Sequence, residues 1–581
     1  MPRPAPSHAT RYKETTASGY EFSQGTGYQL PHYPFVAPPE LAYALTGLER
    51  TRHPVVIVGA GLAGLSLACA LSQYGVKAVL LDEDNTVGVK GASSRGICYA
   101  QKTLEIFKRL GIYDRIAAKG VQWSVGRTFA GDDEVYSFDL AAATTHNMST
   151  QPPFINIQQF YVEGFLVEQL YATKDSSIDL RWSNRITAFE QNAQFATLSI
   201  ATPAGPYTIE ATHVIDCSGA RSPFRAWCSA NVTAKKGDDR WCIADVRFKN
   251  PPPVERHTWI EAPFNEGRAV WQHLMADGVW RIDYQMLPDA DPEEVSREAV
   301  VRTRINGQLG RQVKPSEYEI VWVGPYAYRS ECLDQLRHGR VFFVGDAAHV
   351  VSPFGARGGN SGVQDADNLA WKLAAVMHSR AAPALLDSYQ EERHEAATHN
   401  VLVTNRTARF LRPADGAERV LRTAAISLAK RHAFAQQLVN TGRMSSPNVY
   451  SRSSACLLTG GRALQNVALR WADGSQGEVA DLLKWAEGRL LVLLFGLHKP
   501  GQVRRVVFLT ARTDVRCVHV LGRDMPALYK EHVLDPDGHL AASVGGAGWA
   551  LLRPDSYIAA TGRDIDRKFA QALCVARGDA L

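Results

Sequence analysis

Gly59, Gly61 and Gly64 stand in the spacing G-x-G-x-x-G, and an acid, Asp82, follows about 20 residues further on. Each residue type has a task in such a pattern. The first glycine permits a tight turn, the second lets a pyrophosphate approach the backbone, and the third lets a helix lie close against a strand. The N–H groups that open the helix, with Leu62 and Ala63 between the glycines, face the phosphates, and the helix dipole favours the negative charge. Asp82, with Glu83 beside it, stands where a carboxylate holds a ribose hydroxyl. The chemistry indicated is dinucleotide binding. A second candidate loop lies far downstream, where Gly345 and Asp346 are followed by Pro353, Gly355, Gly358, Gly359 and Asn360. Such a loop offers free N–H groups at a helix start, suited to a phosphate or the electron-rich edge of a ring.

Both loops need the same support, a buried strand before and a helix after. The β-branched run Val55 to Val58 predicts a strand buried on both faces, Leu65, Leu67, Ala68 and Leu71 predict the helix, and Val79 to Leu81 predict the strand that delivers Asp82. Val341 to Val344 precede Gly345, and Val363, Ala366, Ala370, Leu373, Ala374 and Met377 fall at helical spacing behind it. Between these units the pattern predicts a helix near Gln159 to Tyr171 and a third buried strand at His213 to Ile215. Strands are predicted at Trp241 to Phe248, Val270 to His273, Val279 to Leu287 and Tyr318 to Trp322. Strands in a row without helices suggest a sheet forming one wall of a cleft. Residues 1–53 read as a Pro- and Tyr-rich arm laid over the surface, with disorder as the alternative. The segment 385–445 reads as helices. Its stretch around Val420 and Leu421, with Arg419, Arg422, Lys430 and Arg431, is read as a packed linker, the alternative being a helix lying on a membrane surface. Beyond about 448, strand patterns at Leu490 to Phe495, Arg505 to Leu509 and Val515 to Val520 alternate with helical ones, a separate α/β unit.

Length and composition narrow the classes. A chain of 581 residues exceeds one core, so two or three domains are expected. Its 64 basic and 59 acidic residues are mixed along the chain, with no basic run to trace a phosphate backbone, so nucleic acid is not expected as a partner. Nine cysteines without a C-x-x-C pair speak against a disulfide framework or structural zinc and fit a reducing cytoplasm. The almost uninterrupted apolar run Val55 to Leu71 could also be a transmembrane helix, but three glycines at turn spacing and its flanks argue against a span. The longest later apolar run, Leu490 to Leu497, is too short to cross a bilayer, so no membrane partner is expected. His349 has no second ligand at metal spacing, and no metal is expected.

With these motifs in this order, the chain resembles the single-component FAD-dependent aromatic hydroxylases, the flavoprotein monooxygenases typified by para-hydroxybenzoate and phenol hydroxylases. The resemblance is carried by Gly59-Ala-Gly61-Leu-Ala-Gly64, by Asp82, by Arg95 after the second strand, by Gln159, and by Gly345-Asp346-Ala-Ala-His349. It implies that the glycines hold the FAD pyrophosphate, Asp82 the adenosine ribose, Gln159 the linking chain and Asp346 the ribityl chain. Pro353 and the loop through Gly358, Gly359 and Asn360 would lie along the isoalloxazine. The motif usually written Asp-Gly-x-x-Ser here reads Ser218-Gly-Ala-Arg-Ser222, with Asp216 two residues earlier.

The implied fold is α/β: a Rossmann-type FAD-binding domain, an inserted, mostly antiparallel β-sheet substrate domain, and a C-terminal thioredoxin-like domain ending in Arg553-Pro-Asp-Ser-Tyr-Ile558. The expected divisions are 1–53 for the arm, 54–230 and 331–445 for the FAD-binding domain with linker helices, 231–330 for the substrate sheet, and 446–581 for the C-terminal domain. The implied activity is hydroxylation of a phenolic or other electron-rich aromatic by FAD, NADH or NADPH, and O2, through a flavin C4a-hydroperoxide, and the resemblance carries a homodimer with it. A phenol reacts better as its phenolate, so a group taking that proton should titrate near working pH. His273 and Tyr284 are the candidates put forward for it, with Arg247 and Asp283 beside them. Two rivals stay open: an FAD oxidoreductase or epoxidase on the same scaffold, and a flavin-carrying or partner-binding protein without activity.

Overall fold

The computed structural model describes residues 7–8, 28–42, 51–88, 94–140, 148–173, 177–310, 317–413, 416–439, 445–496, 500–523, 525 and 531–580. Three large sheets carry the chain, with two small ones of two and three strands beside them among the described residues. The first has a parallel core ordered Ile178–Arg181, Ala78–Leu81, Arg52–Val58, Gly205–Asp216 and Val341–Phe343. Gly205–Asp216 shows how pattern follows environment. Its first part alternates buried and half-buried residues and pairs antiparallel with Ala196–Thr202, while its last four residues are all buried between the parallel strands Arg52–Val58 and Val341–Phe343.

Helix Leu62–Gln73 packs closely against helix Gly358–Met377, and so brings the two glycine loops together at the carboxyl ends of neighbouring parallel strands. Close approach is enforced at Gly64, where a Cβ would stand 1.9 Å from the Gly59 carbonyl oxygen. Gly59 itself has φ +101°, in the region that favours glycine.

The second sheet is ordered His349–Val350, Tyr318–Leu333, Val232–Phe248, Val279–Gln285, Arg268–Leu274, Arg256–Ala262, Val125–Ala130 and Asp133–Asp139. It is antiparallel except for the pairing of Arg256–Ala262 with Val125–Ala130. The last two strands come from the stretch assigned by sequence to the first unit, 54–230. Their alternation (Gly126, Thr128 and Ala130 buried) was too short to signal which sheet they would join. One face of this sheet packs on helix Glu298–Gln308; on the other, Trp241 and Trp271 pack on Phe354, and helix Gly416–Ala429 belongs to the same cluster through Ile426 and Ala429. Val420 and Leu421 stay exposed.

The third sheet is ordered Gln476–Glu478, Ala468–Trp471, His532–Leu534, Arg516–Leu521, Leu491–Phe495, Trp549–Leu552 and Ile558–Gly562. The strand expected at Arg505 to Leu509 is instead part of helix Pro500–Thr513. The run Val506-Val-Phe-Leu509 has strand propensity, but Val506 and Thr510 are buried and Val507 and Phe508 exposed, a helical stripe decided by the sheet beneath. The third sheet's unit docks on the rest through buried ions. Glu392 meets Arg553 at 2.5 Å and Lys372 at 2.7 Å, and Arg553 also meets Asp555 at 2.5 Å.

Of the N-terminal arm, residues 7–8, 28–42 and 51–53 are described, and Tyr28, Leu30 and Tyr33 are buried in the main core. The arm is thus partly internal, because its aromatic side chains outweigh its prolines. Residues 1–6, 9–27 and 43–50, to which the expectation of disorder also applied, lie outside the described residues.

Candidate active site

At the carboxyl ends of the parallel strands runs a groove of about 690 Å³. Gly59, Gly61, Leu62, Ala63, Asp82, Glu83, Arg95, Gln159, Gly345, Asp346, Gly358 and Gly359 all line it. Gly64 does not, because it is spent on the helix–strand contact. Gly61 is different: a Cβ there would meet only Glu163 Oε1, at 3.9 Å, so its missing side chain leaves open space in the groove.

The Asp82 carboxylate accepts from the N–H of Ala60 at 2.6 Å and of Asp84 at 2.8 Å. Burial pushes its carboxyl up to about 7, against the pull of those two bonds. Asp346 opens onto the groove, and the protein around it raises its carboxyl, with Arg95 and His349 pulling the other way. The turn that carries Asp346 is tied from behind. Asp365 accepts from the Gly345 N–H at 3.0 Å, pairs with His349 Nε2 at 2.7 Å and accepts from Arg393 Nε at 2.6 Å. Burial would raise the Asp365 carboxyl, but His349 and Arg393 overrule it and hold it at about 2. His349 is therefore structural.

Glu163 was not singled out by the sequence. Wholly buried, it accepts from Leu62 N–H at 3.0 Å, Gly88 N–H at 2.8 Å and Gln159 Nε2 at 2.8 Å, fixing the first turn of the glycine helix and the orientation of Gln159. Its four-residue spacing from Gln159 on one helix face was the available signal. Asp216, the displaced acid of the altered motif, is used internally: it accepts from Ser218 N–H at 3.0 Å and from the Ser222 hydroxyl.

The groove opens into a second cavity of about 210 Å³, and Arg95, Gln159, Asp346, Gly358 and Gly359 line both. Pro353 and Asn360 lie on the side of this cavity. Asn360 joins loops, donating to the Cys98 carbonyl at 2.9 Å and accepting from Ala100 N–H at 2.9 Å. The floor is the second sheet. Cross-strand partners share a face, so the register sets His273, Arg281, Asp245 and Trp322 in one row, and Trp271, Asp283 and Ile243 in the next. Arg256 adds a buried guanidinium 5.1 Å over the Trp271 ring, and Arg281 pairs with Asp283 at 2.9 Å. Trp241, Trp322 and Phe354 complete an aromatic wall.

His273 is in this cavity, and its Nδ1 is buried without a hydrogen-bond partner. Burial, then the charges of Arg256 and Arg281, hold its pKa well below the ordinary imidazole value, so it is neutral at working pH and does not titrate there as expected. Tyr284 is not in the cavity. It lies one residue out of phase with Arg281 and Asp283, is buried in the cluster on the other face, and donates to Gln308 Oε1 at 3.0 Å. Arg247 pairs with Glu319 at 2.6 Å, away from the cavity, whereas Asp283 lines it. Among the described residues no group of His, Cys, Asp and Glu could hold a metal, and no helix is long and apolar enough to cross a membrane.

Residues 52–404 match the family described as FAD binding domain. A 3-(3-hydroxy-phenyl)propionate/3-hydroxycinnamic acid hydroxylase of Mycobacterium sp. (strain JLS) is 28% identical over 63% of this chain and 62% of its own, so the chain matches less than two thirds of that relative's length. A 12-dehydrotetracycline 5-monooxygenase/anhydrotetracycline 6-monooxygenase of Streptomyces rimosus subsp. rimosus is 27% identical over 87% of this chain and 95% of its own. The fold is that of the flavin-dependent monooxygenase PieE, solved with FAD and substrate, with a TM-score of 0.74 at 22% identity over 91% of this chain and 99% of that one. Aklavinone-11 hydroxylase, solved with FAD and aklavinone, gives 0.70 at 22% identity over 91% and 100%.

Proposed function

The chain belongs to the FAD-binding-domain family, and on that premise we propose that it is a flavoprotein monooxygenase that hydroxylates a phenolic or similarly electron-rich aromatic ring with NADH or NADPH and O2. The observation that carries this reading is the direct opening of the dinucleotide groove into a Trp-lined cavity, with five residues common to both. A flavin ring at that junction would face a ring held against Trp271 and Trp322.

The residues present fit FAD. Gly61 leaves room for a pyrophosphate beside the N–H of Ala63, near the start of the helix, where the first N–H groups have no carbonyl one turn back. Asp82 is read as the ribose acid and Asp346 as the ribityl contact, a reading supported by both lining this groove. When bound, FAD would supply the redox and oxygen chemistry, which is the cofactor's own. The protein's part is binding, orientation and exclusion of water. Arg256 favours a phenolate over a phenol by placing positive charge in a buried site, with Arg281, paired to Asp283, and neutral His273 lining the same cavity. The aromatic wall keeps water from the reacting ring.

The C-terminal unit is read as thioredoxin-like. What supports this is the strand order Arg516–Leu521, Leu491–Phe495, Trp549–Leu552, Ile558–Gly562, with the first pair parallel, the other pairings antiparallel, and a helix joining the parallel two. Lacking C-x-x-C, it would have no redox role and would serve packing or dimer contacts.

The test is a panel of phenols and hydroxybenzoates scored for stimulated NAD(P)H oxidation, with products analysed after reaction under labelled O2. A labelled hydroxyl on the product is expected. FAD uptake with oxidised product but no label would replace hydroxylation by plain oxidoreduction, and absence of FAD uptake would end the reading altogether.

A further inference from the structure

The parallel sheet begins at Arg52, yet the stretch before it sends side chains to the centre of the molecule. The Tyr28 ring lies 4.9 Å from Phe160, and its hydroxyl donates to Asp245 Oδ2 at 2.7 Å. Asp245 is fully buried and sits on the cavity face of the second sheet, opposite Arg281 on one neighbouring strand and Trp322 on the other. Its second oxygen accepts from Ser94 Oγ at 3.2 Å, and Ser94 Oγ accepts from Arg281 Nη1 at 3.3 Å. The same Nη1 donates to the Arg95 carbonyl. Arg95 has φ +45°, a conformation costly for a residue with a side chain and kept only where surrounding bonds impose it. It lines both the groove and the cavity.

We infer that Tyr28 is a positioning residue of the site: through Asp245 it fixes Ser94 and the strained Arg95 backbone at the junction of groove and cavity. The arm is then a working part of the centre. This rests on the proposed function only for what the junction holds. Asp245 has two oxygens with one hydroxyl donor each, and loss of the Tyr28 hydroxyl leaves Oδ2 buried and unpaired, a state a carboxylate avoids by rotating or by taking a proton. Either change alters what Ser94 and Arg281 bind. The groups facing Asp245 are Tyr28 from the arm, Ser94 from the loop, and Arg281 and Asp283 from the adjacent strand; Trp322 adds no charge. Burial pushes the Asp245 carboxyl up to about 6, while Arg281, Tyr28 and Ser94 pull it down and Asp283 adds to the rise. Removing the Tyr28 hydroxyl therefore moves it higher.

The experiment compares Tyr28→Phe with Tyr33→Phe, a control on the same arm whose ring stacks on Trp182 at 4.6 Å. Amide hydrogen exchange over 94–100 is read in the full chain before FAD is added, and the pH dependence of kcat/KM in the holoenzyme. In Tyr28→Phe, exchange over 94–100 is expected to quicken roughly tenfold, the equivalent of one lost buried hydrogen bond. The acid limb of kcat/KM is expected to move to higher pH. Tyr33→Phe should change neither, and in an Asp245→Asn background Tyr28→Phe should shift the limb no further. Unchanged exchange and limb in Tyr28→Phe, an equal effect in Tyr33→Phe, or a shift by Tyr28→Phe that persists in the Asp245→Asn background would each overturn the inference. A chain that binds no FAD would sink the proposed function, while the exchange comparison would still decide the role of Tyr28.

Discussion

The groove and the cavity meet at Arg95, Gln159, Asp346, Gly358 and Gly359, yet they are made of different material. In the groove, at the ends of parallel strands, Gly59, Gly61, Gly219, Gly345, Gly358, Gly359 and Gly362 expose backbone beside the carboxylates of Asp82 and Asp346. The cavity is walled by large side chains, Trp241, Trp271, Trp322, Arg256 and Arg281, brought from separate strands of an antiparallel sheet. A wall of backbone suits a ligand that never changes. A wall of side chains can be altered strand by strand without touching the groove, so substrate choice and cofactor binding are separable in this molecule.

That separation can be broken or sharpened by substitution. The largest effect is expected from Gly64→Ala, which sets a methyl 1.9 Å from the Gly59 carbonyl and forces helix from strand. A loss of about 3 kcal/mol or more should follow, seen as failure to fold or to take up flavin. A normally melting, yellow Gly64→Ala protein would contradict the packing described. Gly61→Ala isolates ligand from fold: the apoprotein should melt as the parent does, while FAD affinity in a fluorescence titration falls roughly tenfold or more. Equal affinity would remove Gly61 from the pyrophosphate site.

On the cavity side, Arg256→Met keeps length and loses charge. KM for the phenolic substrate should rise roughly tenfold, about the worth of a charged hydrogen bond, with FAD affinity unchanged. A parallel loss of FAD binding would show that the two regions are not separable. His273→Asn tests the electrostatics: burial, Arg256 and Arg281 keep this imidazole neutral, so turnover should fall by the same factor throughout pH 6 to 8. A loss confined to the acid side would mean that His273 does titrate. The smallest effect belongs to Tyr284→Phe, on the far face of the sheet. It removes the bond to Gln308 and about 1 kcal/mol of stability, and steady-state kinetics should stay at parental values.

The two regions were unequally legible for the same reason that they differ. Gly59 to Asp82 and Gly345 to Asn360 are each one continuous strand, turn and helix, so local geometry brings their residues together and spacing alone reveals it. His273 and Tyr284 illustrate the opposite case. Both lie on strands the sequence located, but the face each presents depends on register, and one residue of phase sends Tyr284 to the opposite side of the sheet from Arg281 and Asp283. The helix at Pro500–Thr513 was misread as a strand for a related reason, since the propensity of Val506 to Leu509 gave way to the surface on which they pack.

By itself the sequence determined the glycine turns, the buried strands beneath them and the acids that follow, because those properties are local and short in range. Only the tertiary structure decided that Arg256, His273, Arg281 and Trp271 share one cavity, that Glu163 and Asp365 brace the groove from behind, and that Tyr28 reaches Asp245. Those contacts join residues far apart in the chain, and their geometry is set by strand register and helix packing, which no local spacing encodes.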